Sequence, residues 1–410
     1  MYKIKVNYLL EDDWEVGPWA VGFCRVPRFA PYGSSDVVCH DLDIPETGFD
    51  YSMRDGVLID TVAKYNVATA PLPRYWYEAY AYVRARLTAF VPQPSRVLQF
   101  EQLVAHGVEL STTPGWPHVG KFKTKFDFFN DADCLHLCLH EDYKRDYLWT
   151  SFPKREVIKK MKNVRQICGC EAPFLYHLLP LVHTFNKSIE VAGRGLPFYM
   201  GTSFEGEDYQ HFVSEFANCS YFLSTDATGW DTSVPAAAYE TVADLRCSFL
   251  REQHHEKLRF LYRQIALKLV VEPDGMIFQV FHGTPSGQPS TAQDNSIINW
   301  IFVSAFLLQY YDYAELEHDV KVAIYGDDCL LGFTAEPPFS PLAIKEFFAQ
   351  CGIKLKSPEK WLSFEEADFI SRRPVRMAHG YSFVYVRHEK LLESARHMEG
   401  TLPRLNRPRN

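Results

Sequence analysis

The second half of the chain predicts an α+β fold, a mostly antiparallel sheet flanked by helices. Three observations carry this. Strand-like apolar runs alternate with stretches of helical periodicity. The strands are joined by hairpins and not by uniform crossovers, as where "KLVV" and "MIFQVF" flank the turn "EPDG" at 272–275. And "VAIYGDDCLLGF" (322–333) folds two apolar runs about a tip of Gly326, Asp327 and Asp328. Glycine there accepts the positive φ of a tight turn. Hairpins between sheet strands favour antiparallel pairing over βαβ units.

In chain order, residues 1–110 are irregular, rich in aromatics and prolines, and carry no assignable chemistry. "SYFLSTD" (220–226) reads as a buried strand ending in Asp226. Helical periodicity then runs from Pro235 to about Leu269. The Gly- and Pro-rich loop "GTPSGQPS" (283–290) leads into a helix from Thr291 to about Tyr311. After the hairpin strands Val322–Tyr325 and Cys329–Phe333 comes a helix near Leu342–Cys351, which Gly352 should stop.

With 410 residues the chain can bury a large core and divide into two or three subdomains. No run of eighteen apolar residues occurs, because Asn299 and Ser304 interrupt Ile297–Leu308, so no membrane span is expected. The opening "MYKIKVNYLLEDDWEV" is mixed and acidic, unlike a signal peptide. Ten scattered cysteines point to reduced thiols in a cytosolic setting. In "CLHLCLH", Cys134, His136, Cys138 and His140 would share a strand face. At about 3.3 Å per residue, however, the end ligands lie roughly 20 Å apart. On a helix they split between two faces, so packing is favoured over zinc.

A net charge of −8 argues against a protein that coats nucleic acid indiscriminately. Basic residues are nevertheless concentrated. "KREVIKKMKNVR" (154–165) holds six Lys or Arg against one Glu, and a strand would put Lys121, Lys123 and Lys125 on one face. Either could be solvated surface; two such stretches in an acidic chain suggest a local phosphate-binding channel. Asp327 and Asp328 read either as a solvated turn or as a platform offering oxygen ligands to a hard cation such as Mg2+. Asp226, at a strand end, is the candidate third carboxylate, with Asp231 five residues on. Carboxylates so placed can bridge two Mg2+ ions in an in-line displacement at phosphorus.

The ordered segments "DATGWD", "GTPSGQPSTAQDN" and "YGDD" resemble motifs A, B and C in the palm of RNA-dependent RNA polymerases from positive-strand RNA viruses. The neighbours agree. "STTPGWP" (111–117) resembles motif G, "KREVIKKMKNVRQI" motif F, "GIKLKSPEK" (352–360) motif D, "FISRR" (369–373) motif E, and "KLLESAR" the start of the thumb. The resemblance runs from Ser111 to Arg396. It fits the picornavirus-like supergroup, with "PSGQPSTAQDN" closest to astrovirus-like enzymes.

The resemblance implies a right-hand polymerase of fingers, palm and thumb that extends RNA from rNTPs and replicates a viral RNA genome. It implies two Mg2+ ions, for which Mn2+ can substitute, held by Asp226 and Asp327 with Asp328 assisting. Lys154 and Arg165 would neutralise the triphosphate, and Lys360 would donate a proton to pyrophosphate. Ser286 and Gly287 would form a flexible loop beneath the nucleotide. Asp231 and Asn295 would pair to sense the ribose 2′-hydroxyl, with Thr291 nearby; a local helix cap is the other reading of Asn295. Thr113, Gly115 and Pro117 would contact template. The implied partners are template, nascent RNA, rNTPs and other viral replication proteins, through which the chain would reach membrane-associated complexes in the host cytoplasm.

The expected division is an N-terminal extension and fingers (1–190), palm (191–231), fingers insertion (232–285), palm (286–375) and a short or truncated thumb (376–410). Two departures stand out: the chain stops soon after "ESAR", and the first hundred residues match no family pattern. A reverse transcriptase or a two-metal nuclease is the alternative. The first usually carries a bulky aromatic gate in motif A, which "ATGWD" does not clearly offer; the second needs neither a sugar-reading Asn nor motif F.

Overall fold

A computed structural model describes residues 49–51, 70–105, 108–140, 142–154, 157–159, 165–191, 195–202, 208–272, 275, 277–356, 358–378 and 380–386. The expected thumb onset at "KLLESAR" and most of the N-terminal extension lie outside these residues.

The central sheet has four antiparallel strands. β5 (Tyr221–Thr228), β8 (Val320–Tyr325), β9 (Asp328–Phe333) and β10 (Lys354–Lys356) stand in the order β10-β5-β9-β8. Side chains alternate across each strand, and here both faces are covered. Leu223, Ile324, Cys329 and Leu331 enter the main core. Phe222, Ala323 and Leu330 enter a second core with Tyr199, Phe212, Phe216, Ala367 and Phe369. Burial on both faces is why these strands read as unbroken apolar runs.

A second sheet, β4-β2-β6-β7, joins β2 (Leu148–Pro153), β4 (Gln166–Cys170), β6 (Lys268–Val271) and β7 (Ile277–Val280). The β6–β7 hairpin forms as expected, while β2 and β6 pair in parallel, a non-local contact that hairpin signals do not announce. Among the described residues two smaller pairs complete the strands: β1 (Phe49–Tyr51) with β3 (Val157–Lys159), and β11 (Arg372–Met377) with β12 (Gly380–Tyr385).

Around the sheets lie α1 (Trp76–Thr88), α2 (Phe100–Ala105), α3 (Lys125–Asn130), α4 (Ala132–His140), α5 (Ala172–Val191) and α6 (Asp208–Phe216). Then follow α7 (Trp230–Ser233), α8 (Ala236–Cys247), α9 (His255–Ala266), α10 (Thr291–Leu307), α11 (Tyr313–Asp319) and α12 (Pro341–Gln350). Helix α10 is the axis of the molecule. Every residue from Asp294 to Leu307 is buried, and α1, α8, α12 and β8 pack round it. A helix enclosed on all sides needs no polar face, so apolar residues run round it.

Three expectations change. The helix expected over Pro235–Leu269 is two, α8 and α9, broken at Ser248–His254, where the Ser248, Phe249 and Leu250 amides close the end of α8. "KFKTK" is no strand. Thr124 caps α3 through a reciprocal bond with Asp127, so Lys125 turns inward while Lys121 and Lys123 stay exposed. Local capping outweighs alternation there. Helix α10 ends at Leu307, short of Tyr311. "CLHLCLH" lies on α4, where Cys134 and Cys138 are buried and His136 and His140 exposed, the split a helix predicts.

Candidate active site

Register places the acidic groups. Thr225 on β5 faces Cys329 on β9, so the next residues, Asp226 and Asp328, lie side by side where the β5–β9 pairing stops; β5 does not end at Asp226 as expected but runs on to Thr228, paired with β10. Asp328 also pairs with Tyr325 across the β8–β9 hairpin, leaving Gly326 and Asp327 as its two-residue turn. Gly326 has φ 63°, where a Cβ would be strained. Burial, opposed by a hydrogen bond from its backbone, together with the charges of Asp226 and Asp231, pushes the Asp327 carboxyl up to about 6. The Arg165 guanidinium acts in the opposite sense. Four residues spread over 163 positions of sequence thus share one electrostatic field.

Helix α10 grips the turn. The Gly326 N–H donates to Ser296 Oγ at 2.8 Å, and Asn299 Nδ2 donates to the Gly326 carbonyl at 3.1 Å. Ser296 donates in turn to the Ala292 carbonyl at 2.7 Å. Ser296 and Asn299 are three apart and so share a helix face. Both are buried, and each buried polar group has its partner. Site reading from the motifs missed them; the signal available was Asn299 inside the apolar run Ile297–Val303, with Ser296 one helical turn before it.

A lysine not expected at the site is there. Lys356 on β10 lies opposite Asp226 and donates from Nζ to Asp226 Oδ2 at 2.9 Å. Lys360, the expected proton donor, donates instead to Glu366 Oε1 at 2.8 Å.

The loop before α10 is anchored to β4. Gly287 N–H donates to the Cys168 carbonyl at 2.9 Å, and the Cys168 N–H donates to Ser286 Oγ at 3.2 Å. A Cβ at Gly287 would come within 2.8 Å of both the Cys168 oxygen and Gly169 Cα. Thr291 turns its hydroxyl back onto the loop carbonyls of Pro285, Ser286 and Gln288.

Beneath the loop, Asp294 is fully buried and accepts from Arg246 Nε and Nη2 at 2.9 and 2.7 Å, from Tyr262 and from Gln288. Arg246 also donates to Asn186, which donates to Ser290.

Asn295 Oδ1 accepts from Thr284 Oγ1 at 3.0 Å and from Tyr239 at 3.3 Å. No hydrogen bond joins Asn295 to the Asp231 carboxylate among the described residues. Instead the Asp231 carbonyl accepts from Thr284 N–H at 2.8 Å, so Thr284 is the link between the two.

The other expected positions surround this centre. The Lys154 N–H donates to the Arg165 carbonyl at 2.7 Å, which holds the two ends of the basic segment together. Residues 155, 156 and 160–164 of that segment lie outside the described residues. Gly115 has φ 78° and lies so close to β4 that a Cβ would sit 2.9 Å from the Cys170 oxygen. Its loop is tied down by Trp116 N–H to Thr150 and by Lys125 Nζ to Thr112 Oγ1 and the Thr113 carbonyl. Pro117 opens the short turn His118–Gly120 that follows.

Among the described residues no three His, Cys, Asp or Glu side chains form a ready metal cage. The donor chemistry nevertheless fits a hard divalent cation. Asp226, Asp231 and Asp327 offer oxygens, and the Asp327 carboxyl, raised first by burial and further by the charges of Asp226 and Asp231, is a group whose ionised form a bound cation would stabilise. The Lys356 ammonium already answers part of that negative charge.

This is the fold of the right-hand polymerases. The solved Sicinivirus 3Dpol RNA-dependent RNA polymerase matches with a TM-score of 0.69 and 17% identity, over 83% of this chain and 79% of that one. Residues 44–403 match the family model described as viral RNA-dependent RNA polymerase, and the chain belongs to that family. Curated relatives include the Turkey astrovirus 2 non-structural polyprotein 1AB, 26% identical over 294 residues, 62% of this chain and 18% of the polyprotein. The genome polyprotein of Theiler's murine encephalomyelitis virus (strain GDVII) is also 26% identical, over 290 residues, 66% of this chain and 12% of the polyprotein. Members of this family depend on divalent metal.

Proposed function

We propose that the chain extends an RNA strand on an RNA template, using rNTPs, to replicate a viral RNA genome. The observation that supports this most is the convergence of Asp226 and the Gly326–Asp327 turn at one edge of an antiparallel sheet, with Arg165 in the same field. The 3′-hydroxyl of the growing strand attacks the α-phosphorus of the bound rNTP, one P–O bond forms, and the bond to the pyrophosphate leaving group breaks. Asp226 and Asp327, with Asp328 assisting, would hold two Mg2+ ions, whose chemistry when bound would be to offset negative charge developing in the displacement. Arg165 and Lys154 neutralise the triphosphate as the leaving group gains charge. Ser286 and Gly287 set the floor under the nucleotide, Asp231 and Asn295 read its ribose through the Thr284 link, and Thr113, Gly115 and Pro117 border the template. Lys360, which here donates to Glu366, would exchange that exposed contact for pyrophosphate when it gives up its proton.

In subdomain terms, the β10-β5-β9-β8 sheet is palm, and residues before about 190 together with 232–285 are fingers. Other viral replication proteins supply the membrane association in the host cytoplasm.

The test is extension of a primed template with four rNTPs and Mg2+. Asp327→Ala and Asp226→Ala should each leave less than about 1% of parental synthesis, since no water replaces a fixed anionic ligand. Synthesis in either variant close to the parent's defeats the assignment.

A further inference from the structure

Lys268, at the start of β6, has no exposed surface and no carboxylate partner among the described residues. Burial lowers its pKa from 10.5 to about 8, so near neutral pH the ammonium stays charged. An interior cation is retained against its desolvation cost only where fixed dipoles answer it. Here backbone carbonyls do. Nζ donates to the His282 oxygen at 2.5 Å, the Gly283 oxygen at 2.8 Å and the Ile265 oxygen at 3.4 Å.

Two of these carbonyls belong to a strap, His282–Thr284, whose amides point the other way. Gly283 N–H donates to the Val234 carbonyl at 2.7 Å, and Thr284 N–H donates to the Asp231 carbonyl at 2.8 Å. Each of the two peptide groups is therefore bonded at both ends, to Lys268 on one side and to the Asp231–Val234 turn on the other. The fit is close. Gly283 has φ 75°, and a Cβ there would sit 2.3 Å from the Asp231 oxygen. The same strap carries Thr284, whose hydroxyl donates to Asn295 Oδ1. One ammonium thus braces the segment that touches both Asp231 and Asn295.

We propose that Lys268 is a positioning residue for sugar selection, holding the His282–Thr284 strap so that Asp231 and Asn295 keep the spacing that recognises a ribose. This rests on the sugar-reading role proposed for that pair. Lys268 contacts no substrate; its effect passes through two peptide groups whose dipoles it aligns. Methionine, of similar length, would leave both strap carbonyls without a donor. Glutamine keeps two N–H donors without the charge and should restore part of the effect.

The experiment compares the parent, Lys268→Met, Lys268→Gln and Asp231→Ala as full chains. GTP and dGTP incorporation are measured opposite one template base, with kcat and KM separated, and amide exchange at Gly283 and Thr284 is followed in the same proteins. In Lys268→Met the GTP:dGTP ratio should fall at least about tenfold through loss of GTP kcat, with a smaller fall in Lys268→Gln. Exchange at the two strap amides should quicken by about tenfold while the β6–β7 pairing amides keep their protection. If Lys268→Met does not fold, the glutamine variant must still show both shifts. A lower melting temperature with equal losses for GTP and dGTP makes Lys268 merely structural and overturns the inference. An unchanged ratio in both lysine variants beside a collapsed ratio in Asp231→Ala overturns this inference alone. An unchanged ratio in Asp231→Ala as well overturns the sugar-reading role beneath it.

Discussion

Two ion pairs of this molecule are built in opposite ways. Arg246 and Asp294 lie under the start of α10 with 2% and 0% of their side chains exposed, and Tyr262, Gln288 and Asn186 share in the same hydrogen-bond network. Lys356 and Asp226 meet at the sheet edge with 62% and 39% exposed, joined by a single contact of 2.9 Å. The first pair cannot be opened without stranding a charge in the interior. The second is solvated, so either partner can be exchanged for another ion at little cost. Rigidity is placed where the loop before α10 is held, and replaceable charge at the proposed metal site.

Breaking the buried pair should give the largest effect on the fold. Asp294→Ala leaves the Arg246 guanidinium uncompensated and should destabilise the protein by about 3–5 kcal/mol. Asp226→Ala should alter stability by no more than about 0.5 kcal/mol. Urea unfolding of both variants reads the contrast directly; equal losses would erase it.

Next in size is Arg165→Ala. A charge-assisted contact to phosphate contributes on the order of 1.5–3 kcal/mol, so incorporation should slow roughly tenfold to a hundredfold with template affinity little changed. Pre-steady-state incorporation set beside RNA binding decides whether the arginine serves chemistry or the channel.

The exposed region should also answer to pH. The Asp327 carboxyl titrates near 6, above its ordinary 3.8, so protons compete with a divalent cation at that site. Mn2+ affinity, followed by its paramagnetic signal, should fall as pH drops through 6, by up to about tenfold per unit below it. Stability without metal runs the other way. Because the folded state holds this proton more tightly than the unfolded chain, the group's contribution is fully present below about 4 and is lost as pH rises through 6. Loss of Mn2+ affinity centred near 4 would show that neither burial nor the charges of Asp226 and Asp231 raise the Asp327 carboxyl.

The smallest effect belongs to Lys356→Met. Removing the competing ammonium should raise Mn2+ affinity a few-fold, by less than about 1 kcal/mol, with the melting temperature unmoved. Weaker Mn2+ binding would make Lys356 a support for Asp226 and not a placeholder.

Local physics made much of this legible in advance. The Gly-Asp tip, the strand that carries Asp226 (though not its end, which lies at Thr228), the β6–β7 hairpin and the order of the motifs follow from periods of two and 3.6 residues and from turn chemistry, all of which act over a few positions. The carboxylates, the loop before α10 and the family were therefore readable from residues alone. Tertiary structure decided which distant groups meet. β10 pairs with β5 in a register that brings Lys356, and not Lys360, to Asp226 across 130 positions. Asn295 turns to Thr284 and Tyr239 because the strap, held by Lys268, passes between it and Asp231. Nothing in the sequence marks Arg246, Lys268 and Asp294 as interior charges, since the cost of burying a charge depends on the dipoles packed around it and not on its neighbours in sequence.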